Sequence, residues 1–190
     1  MRAAREIWFD GFVDTRLDQL VFLDEFGAST QMARTHALAP IGERAVGYVP
    51  HGHWKTISTI AAMSVRGMVA AASFDGATDT ESFLIFVRDE LAPQLEPRQV
   101  VVMDNLSAHK SPEVDRLLAA VGCRALRLPP YSPDFNPIEM AISKMKRMLR
   151  SVAKRTVSRL LDGIRAALRA VTAEDAHAFI THCGYSATVR

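Results

Sequence analysis

The feature that most constrains the fold is a proline-rich segment at residues 128–140, LPPYSPDFNPIEM. Four prolines lie within the nine positions 129–137. They fix their own φ angles and restrict each preceding residue, which suggests that the position where the segment ends matters. Asn136 and Pro137 suit a helix start, and Glu139, three residues after Asn136, completes a capping-box pattern. From this segment alone, a capping role and a catalytic role for Glu139 are equally open.

Composition places the chain among globular proteins. Its 190 residues suffice for one domain with a sizeable core, and the apolar (48%) and charged (23%) fractions are ordinary. No apolar run reaches the roughly 18 residues of a membrane span, and the charged N-terminus does not resemble a signal peptide. Cys123 and Cys183 are far apart, which indicates neither a disulfide framework nor a zinc site. We therefore expect a cytoplasmic protein without a membrane association.

The charge is unevenly distributed along the chain. Residues 1–139 carry 13 Lys/Arg and 18 Asp/Glu, whereas residues 140–190 carry 10 and 3. The second part therefore has a net charge of +7. This pattern suggests a polyanionic partner such as nucleic acid, although a solvated basic helix is the commoner explanation for such a run.

Hydrophobic periodicity and punctuation by Gly and Pro predict an alternation of strands and helices. Strands are predicted at 20–26, 54–67, 67–76, 99–105 and 124–129, with a hairpin at Gly67, and helices at 78–95, 111–122, 137–154, 156–171 and 172–181. This order predicts an α/β fold with a mixed sheet and covering helices. Residues 1–16 are interpreted as a linker or the stub of a larger region, and residues 17–190 as one domain.

Three acidic residues lie within or at the ends of the predicted strands and helices. Asp24 lies in an apolar strand, Asp104 ends another, and Glu139 begins a helix. A turn-capping role before Gly27 is the alternative for Asp24, and an Asp-Asn turn is the alternative for Asp104. An ionised carboxylate among apolar neighbours needs a compensating partner, and strand ends in open α/β sheets are where ligands bind.

Carboxylates without a Cys or His cluster are typical of a Mg²⁺ site, because Mg²⁺ prefers oxygen ligands and keeps positions for water and phosphate. Two such ions about 4 Å apart stabilise the attacking and leaving oxygens of a phosphoryl displacement. In this interpretation the stiff proline-rich segment places the third acid against the other two.

Three stretches, FLDEFG, VVMDNLSAHKS and LPPYSPDFNPIE, resemble the acidic motifs of the mariner superfamily of transposases and its bacterial insertion-sequence relatives. The 34 residues between Asp104 and Glu139 match one large branch of that group. The resemblance spans residues 18–185 and includes the HCGY ending at 182–185. It implies a ribonuclease H-like fold and a DDE endonuclease domain that performs Mg²⁺-dependent transfer of DNA strands, with Mn²⁺ as a substitute.

The resemblance also implies roles for individual residues. Asp24, Asp104 and Glu139 correspond to a metal-binding catalytic triad. Asn105 and His109 correspond to the second motif and are expected to shape the site, with His109 holding the loop or touching the scissile phosphate. Glu25 is expected on the opposite face of the sheet by strand alternation. Ile142 stands where relatives often carry Trp.

Basic residues follow Glu139 along the predicted helix. Ser143, Lys146 and Arg150 lie 4, 7 and 11 residues after it and share its face. We expect Lys146 and Arg150 to contact DNA phosphates, against the alternative of a solvated basic stripe. The HGH at 51–53 is interpreted as a turn, because two histidines lack a third metal ligand.

The sequence thus predicts a transposase catalytic domain that nicks DNA and joins the freed 3′ hydroxyl to a new strand. The alternative is a catalytically silent DNA-binding or regulatory remnant of such an element. An aspartyl-phosphate hydrolase is disfavoured, because it needs a DxD motif where this chain has Asp24-Glu25-Phe26. The resemblance implies double-stranded DNA as partner, a homodimer in the DNA complex and a bacterial, nucleoid-associated location. Transposases of this group read their element's ends with helix-turn-helix modules ahead of the catalytic domain, whereas only a short stub precedes residue 17 here. Three alternatives stay open: the second frame of a split gene with a separately encoded helix-turn-helix partner, a fragment, or a degraded copy.

Overall fold

A five-stranded sheet forms the centre of the molecule. The structure is a computed structural model that describes Arg5, residues 7–9 and residues 15–185. The strands are β1 (Leu20–Ser29), β2 (Thr56–Ser64), β3 (Gly67–Asp75), β4 (Val100–Met103) and β5 (Arg124–Arg127). Their order in the sheet is β3-β2-β1-β4-β5. β1, β2 and β3 pair antiparallel, whereas β4 and β5 extend the sheet in parallel. The predicted mixed α/β sheet is therefore confirmed.

The hairpin predicted at Gly67 is present between β2 and β3. Gly67 has a φ angle of +108°, a conformation that residues with a Cβ rarely adopt. Val21 of β1 pairs with Ser64 of β2, so this turn lies at the end of the sheet where β1 begins. The long connection over residues 30–55 leaves from the opposite end.

In the described residues, five α-helices cover the sheet. They are α1 (Thr80–Ile85), α2 (Pro112–Ala120), α3 (Ile138–Val152), α4 (Val157–Arg169) and α5 (Ala173–His182). Asp79, Ser111, Thr156 and Thr172 cap α1, α2, α4 and α5 with their side chains. The predicted helix over 78–95 keeps α geometry only to Ile85 and continues as a π-helix at Phe86–Leu91 and a short 3-10 turn. No helix in the described part of the chain is long and apolar enough to cross a membrane.

Alternation along β1 divides the core into two layers. Leu20 and Phe22 face α3, α4 and α5, whereas Val21 and Leu23 face the helical segment 80–91 and α2. All four side chains are buried. Asp24 therefore belongs to the face covered by α3, and Glu25 points to the opposite face, as predicted.

The described residues near the N-terminus pack on the domain. The buried Trp8 donates its Nε1–H to the Tyr185 hydroxyl at 2.9 Å. The ring of Phe9 lies edge-on to Phe135 at 5.2 Å and to Tyr185 at 5.3 Å between centroids. These residues thus contribute to the core beside α3. The interpretation of residues 1–16 as a stub of a larger region stays a prediction.

Candidate active site

Asp24, Asp104 and Glu139 line one cavity of about 620 Å³. Three different elements deliver them: β1, the end of β4 and the first turn of α3. Phe22 pairs with Val102 in the parallel register of β1 and β4, so Asp104 is level with Asp24 when that register is continued. The three predicted acids are therefore brought together, with residues of the proline-rich segment forming another wall.

Asp24 is half-buried and lies in the middle of β1, opposite Ala61 of β2. The turn-capping alternative is wrong, because β1 continues to Ser29. Its Oδ1 accepts the backbone N–H of Glu25 at 2.7 Å. Burial, with repulsion from Glu139 and Asp104, raises the pKa of Asp24 to about 7 despite that hydrogen bond.

Asp104 begins a turn directly after β4. Its Oδ1 accepts the backbone N–H of Leu106 at 3.0 Å and lies 2.6 Å from Nδ1 of His109. The Asp-Asn turn that was the alternative role for Asp104 is thus present, and the carboxylate lines the cavity as well. Burial alone would raise the pKa of Asp104, but the contacts with His109 and Leu106 hold it below its usual range.

His109 is fully buried between two carboxylates. Its Nε2 lies 3.6 Å from Oε1 of Glu25, on the side away from Asp104. The ring N–H groups are not directed at these oxygens, so the contacts are close ion pairs rather than aligned hydrogen bonds. Burial would lower the pKa of His109, but Asp104 and Glu25 raise it to about 9. The side chain packs on Phe83, with 4.2 Å between ring centroids, and it therefore holds the loop after β4.

Sequence reasoning did not identify Glu25 and Thr78 as parts of the hydrogen-bond and ion-pair network around His109. The Thr78 hydroxyl donates to Oε2 of Glu25, and the contact with His109 is the largest cause that lowers the pKa of Glu25. Thr78 is 53 residues away in sequence and belongs to none of the acidic motifs. The proximity of Glu25 to Asp24 is the one signal that could have drawn attention to it.

Asn136 also has a role that the sequence did not indicate. Its side-chain Nδ2 donates to Oδ2 of Asp24 at 2.9 Å, and the residue is only 2% exposed. The predicted capping box is wrong: Pro137 is the N-cap of α3, and its side chain makes no capping hydrogen bond. Asn136 donates to Asp24 through Nδ2, whereas its Oδ1, the atom that would accept from the helix N–H groups in a cap, has no hydrogen-bond partner among the described residues.

Glu139 lies in the first turn of α3 and is exposed. Its backbone N–H donates to the carbonyl of Asn136 at 3.1 Å. Among the described residues, its carboxylate has no hydrogen-bond or ion-pair partner. The position of Glu139 therefore depends on the segment that precedes the helix.

That segment is tied down by residues from distant parts of the chain. The Tyr185 hydroxyl donates to the Phe135 carbonyl at 2.8 Å. Arg5 donates to the Ser132 hydroxyl at 2.7 Å and to both carboxylate oxygens of Asp134 at 2.9 and 2.6 Å. At its start, the Leu128 carbonyl accepts from the Asn105 side chain. Asn105, predicted to shape the site, thus joins the loop after β4 to this segment and also lines the cavity.

Basic residues continue from Glu139 along α3. The predicted DNA contacts Lys146 and Arg150 are both half-buried. A neighbouring cavity is lined by Glu139, Ser143 and Arg147, so Arg147 is a further basic residue that sequence reasoning did not select. The nearby Lys144 is paired with Asp175 and has its charge compensated.

The described residues contain no group of three His, Cys, Asp or Glu side chains close enough together to hold a metal ion. The three acids therefore share a cavity at wider spacing than a closed metal centre.

Residues 51–53 are exposed and lie outside regular structure, as expected of a turn. Ile142 is 2% exposed and packs in the core between the sheet and the helices.

Comparison with protein families matches residues 19–161 to the DDE superfamily endonuclease family. A comparison with curated proteins returns no match. Solved structures show the same fold at low identity. The Mos1 transposase paired-end complex with the left transposon end aligns with a TM-score of 0.77 at 16% identity, covering 95% of this chain and 57% of that one.

Two further structures support the fold assignment. The catalytic domain of Mos1 mariner transposase aligns with a TM-score of 0.67 at 14% identity, covering 96% of this chain and 85% of that one. The Mos1 mariner paired-end complex with Mn aligns with a TM-score of 0.71 at 15% identity, covering 96% and 57%. The present chain thus spans little more than half the length of the Mos1 chain in its paired-end complexes. The expected ribonuclease H-like fold is confirmed.

Proposed function

Because the chain belongs to the DDE superfamily of endonucleases, we propose that it is the catalytic domain of a DNA transposase. It would cleave a phosphodiester bond and then join the freed 3′ hydroxyl to a new strand. The observation that carries this proposal is the convergence of Asp24, Asp104 and Glu139 on one cavity. A catalytically silent remnant is not favoured, because all three acids of the family motif line that cavity.

The donor set fits a hard divalent cation. Three carboxylates face one cavity, and the pKa of Asp24 is raised by burial and by repulsion that a cation would remove. Within the described part of the chain, Glu139 has no hydrogen-bond or ion-pair partner that its side chain would have to leave. Asp24, Asp104 and Glu139 would hold two Mg²⁺ ions, or Mn²⁺ in their place, and structures of Mos1 transposase have been solved with each metal. When bound, the ions would activate the nucleophile and stabilise the leaving oxygen.

Other residues of the chain would position the carboxylates and bind the DNA strand. Asn136 and His109 hold the carboxylates of Asp24 and Asp104 in place. Lys146 and Arg150 would bind phosphates of the strand that enters the cavity. Water attacks the scissile phosphorus first and the 3′ oxygen leaves. In the second step that 3′ hydroxyl attacks a phosphorus of the target strand and displaces its 3′ oxygen, so no covalent enzyme intermediate forms.

Double-stranded DNA is the proposed substrate, both as element end and as target. Solved relatives of this fold include a paired-end complex and a strand transfer complex of Mos1. By analogy we propose that the chain acts as a homodimer on DNA, with a helix-turn-helix module encoded separately or elsewhere. A bacterial, nucleoid-associated location is part of the same proposal.

Amide substitutions in the triad test the proposal. Asp24→Asn, Asp104→Asn and Glu139→Gln keep the side-chain volume but remove the charge that holds a cation. We expect each to lower nicking of supercoiled plasmid in Mg²⁺ or Mn²⁺ by at least about 100-fold, with an unchanged circular dichroism spectrum. Asp162→Asn, at an exposed acid of α4 paired with Arg165, is the matched control. Parental nicking by the triple amide variant would refute the assignment.

Phosphate contacts are tested by the salt dependence of duplex binding. Lys146→Ala and Arg150→Ala should each reduce the slope of log affinity against log salt by about one unit, equally on all sequences. Fluorescence anisotropy at several salt concentrations measures this slope. An unchanged slope would show that these residues do not contact phosphates and belong to a solvated basic stripe.

A further inference from the structure

A second cavity, of about 670 Å³, lies at the far end of α3 from Glu139. One wall is formed by residues 33–37 and 45–49 of the connection between β1 and β2. The other is formed where α3 ends, by Arg150, Ser151, Ala153 and Arg155. We call this cavity the basic groove, because Arg34, Arg150, Arg155 and His36 line it and no Asp or Glu does.

Among the described residues, no acid forms an ion pair with the arginines of the basic groove. Arg34 is exposed, and neither Arg34 nor Arg150 takes part in an ion pair among the described residues. Arg155 donates to the backbone carbonyls of Thr30 and Met32, both at 2.9 Å. Carbonyl groups bind the guanidinium but leave its charge, so three like charges converge on one concave surface. Such a surface attracts a polyanion.

The basic groove lies in line with the three acids. Arg150 is 11 residues after Glu139 on α3, which is about 16 Å at 1.5 Å per residue. Eleven residues make close to three full turns, so both side chains leave the same face of the helix. Lys146 lies between them on that face. By this helical spacing, the face of α3 that begins at Glu139 leads towards the basic groove.

We propose that the basic groove binds the sugar–phosphate backbone of duplex DNA roughly five base pairs from the phosphate that is cleaved, at 3.4 Å per base pair. Arg34 is its new DNA-binding residue, and Arg155 holds the connection that carries Arg34 against α3. The inference rests on the proposed function and extends it by assigning the path of the flanking duplex. Contacts of this kind position DNA without reading its sequence.

Charge favours DNA over a second protein copy as the occupant. The basic groove presents three arginines without acids, which suits regularly spaced phosphates. A second copy of this chain would have to supply an acidic complement. The connection also exposes apolar residues: Leu38 and Ile41 lie outside the lining of the basic groove, whereas Val46, Tyr48 and Val49 belong to it. A self-association through them is therefore an alternative outcome that the experiment must detect.

The first test is the salt dependence of binding to a duplex of arbitrary sequence. Arg34→Ala should reduce the slope by about one unit and weaken binding five- to tenfold at 0.1 M salt. Arg66→Ala is the matched control, because Arg66 is exposed and lies at the turn between β2 and β3, at the opposite end of the sheet. The control should bind like the parent. A parental slope for Arg34→Ala would overturn the proposal.

The second test uses hairpin-closed duplexes of 4 to 16 base pairs. For the parent, affinity should rise once the duplex exceeds about five or six base pairs, and Arg34→Ala should remove most of that rise. Lys146→Ala should weaken binding at every length. Equal losses at all lengths for Arg34→Ala would overturn the assigned distance.

Failure of this inference and of the proposed function can be told apart. If the triad amides abolish nicking while Arg34→Ala binds DNA normally, the basic groove is wrong and the catalytic assignment stands. If the amides nick normally, the catalytic assignment is wrong whatever Arg34→Ala does. If Arg34→Ala leaves DNA binding unchanged but alters the sedimentation coefficient of the free protein, the surface binds a second copy, and the DNA proposal is overturned.

Discussion

Asp24 and Asp104 are placed by the sheet, whereas Glu139 is placed by a segment without a strand or α-helix. β1 pairs with β2 through Asp24 and with β4 just before it, over Leu20–Phe22, so the backbone around Asp24 is held in the sheet. Asp104 follows β4 directly, and the buried His109 closes the turn behind it. The strand-borne acids therefore depend on contacts inside the sheet and its immediate loop.

The position of Glu139 depends instead on single contacts with remote residues. Asn136 reaches Asp24 across 112 positions, and Phe135 is bound by Tyr185 across 50. Arg5 binds Asp134 across 129 positions. The prolines stiffen the segment, and these tethers then fix where its end lies. One cavity is thus built partly by regular structure and partly by both ends of the described chain.

The largest effect is expected from His109→Ala, on the strand side. The substitution removes a buried ring and leaves the carboxylates of Asp104 and Glu25 without their cationic partner, so the free energy of unfolding should fall by about 3–5 kcal/mol. Urea denaturation followed by circular dichroism measures the change. The matched control is His177→Ala, at an exposed position of α5, which should have little effect. A loss below about 1 kcal/mol would show that the sheet alone holds Asp104.

The next largest effect is expected from Asn136→Ala, at the contact that joins the two regions. Loss of a buried hydrogen bond to a carboxylate should lower the free energy of unfolding by about 1.5–3 kcal/mol. Because Asn136 also orients Asp24, nicking should fall and the Mn²⁺ concentration for half-maximal binding should rise. Gln31→Ala, which removes an amide bonded to the Pro50 carbonyl, is the control. Unchanged Mn²⁺ binding would limit Asn136 to a structural role.

Local pattern predicted much of this molecule because the responsible interactions are local. Ser111, Pro112 and Gly122 marked the ends of α2, and Gly67 marked the hairpin. Ser111 acts through a side-chain hydrogen bond to the nearby Glu113, and the other three act through their own backbone conformation. The convergence of the acids followed from motif spacing and family resemblance. Asn136 illustrates the limit. Its sequence context satisfies a capping box, but its Nδ2 donates to a carboxylate 112 residues away, and no local pattern records that partner.

A smaller effect is expected from Tyr185→Phe, on the helix side. The hydroxyl donates to the Phe135 carbonyl and accepts from Trp8, and its removal should cost about 1 kcal/mol of unfolding free energy. The ring contacts with Phe9 and Phe22 are kept. Thermal unfolding is the measurement, with Tyr48→Phe, at a hydroxyl that is exposed, as the control. Equal melting temperatures for both variants would remove Tyr185 from the set of tethers.

The smallest effect is expected from Arg5→Ala, although Arg5 makes the most contacts with the segment. Its side chain binds Asp134 through two nitrogens and lies 4.3 Å from the centroid of the Phe135 ring. Exposed ion pairs contribute little, because water and salt screen the charges and ordering long side chains costs entropy. We therefore expect a melting temperature close to that of Arg66→Ala, whose ion pair with Glu96 is also exposed. If Arg5→Ala lowered the melting temperature more than Tyr185→Phe does, the N-terminal residues would instead be the main support of Glu139. In that case the helix-borne acid would respond to whatever binds or moves that end of the chain, whereas the strand-borne acids would not.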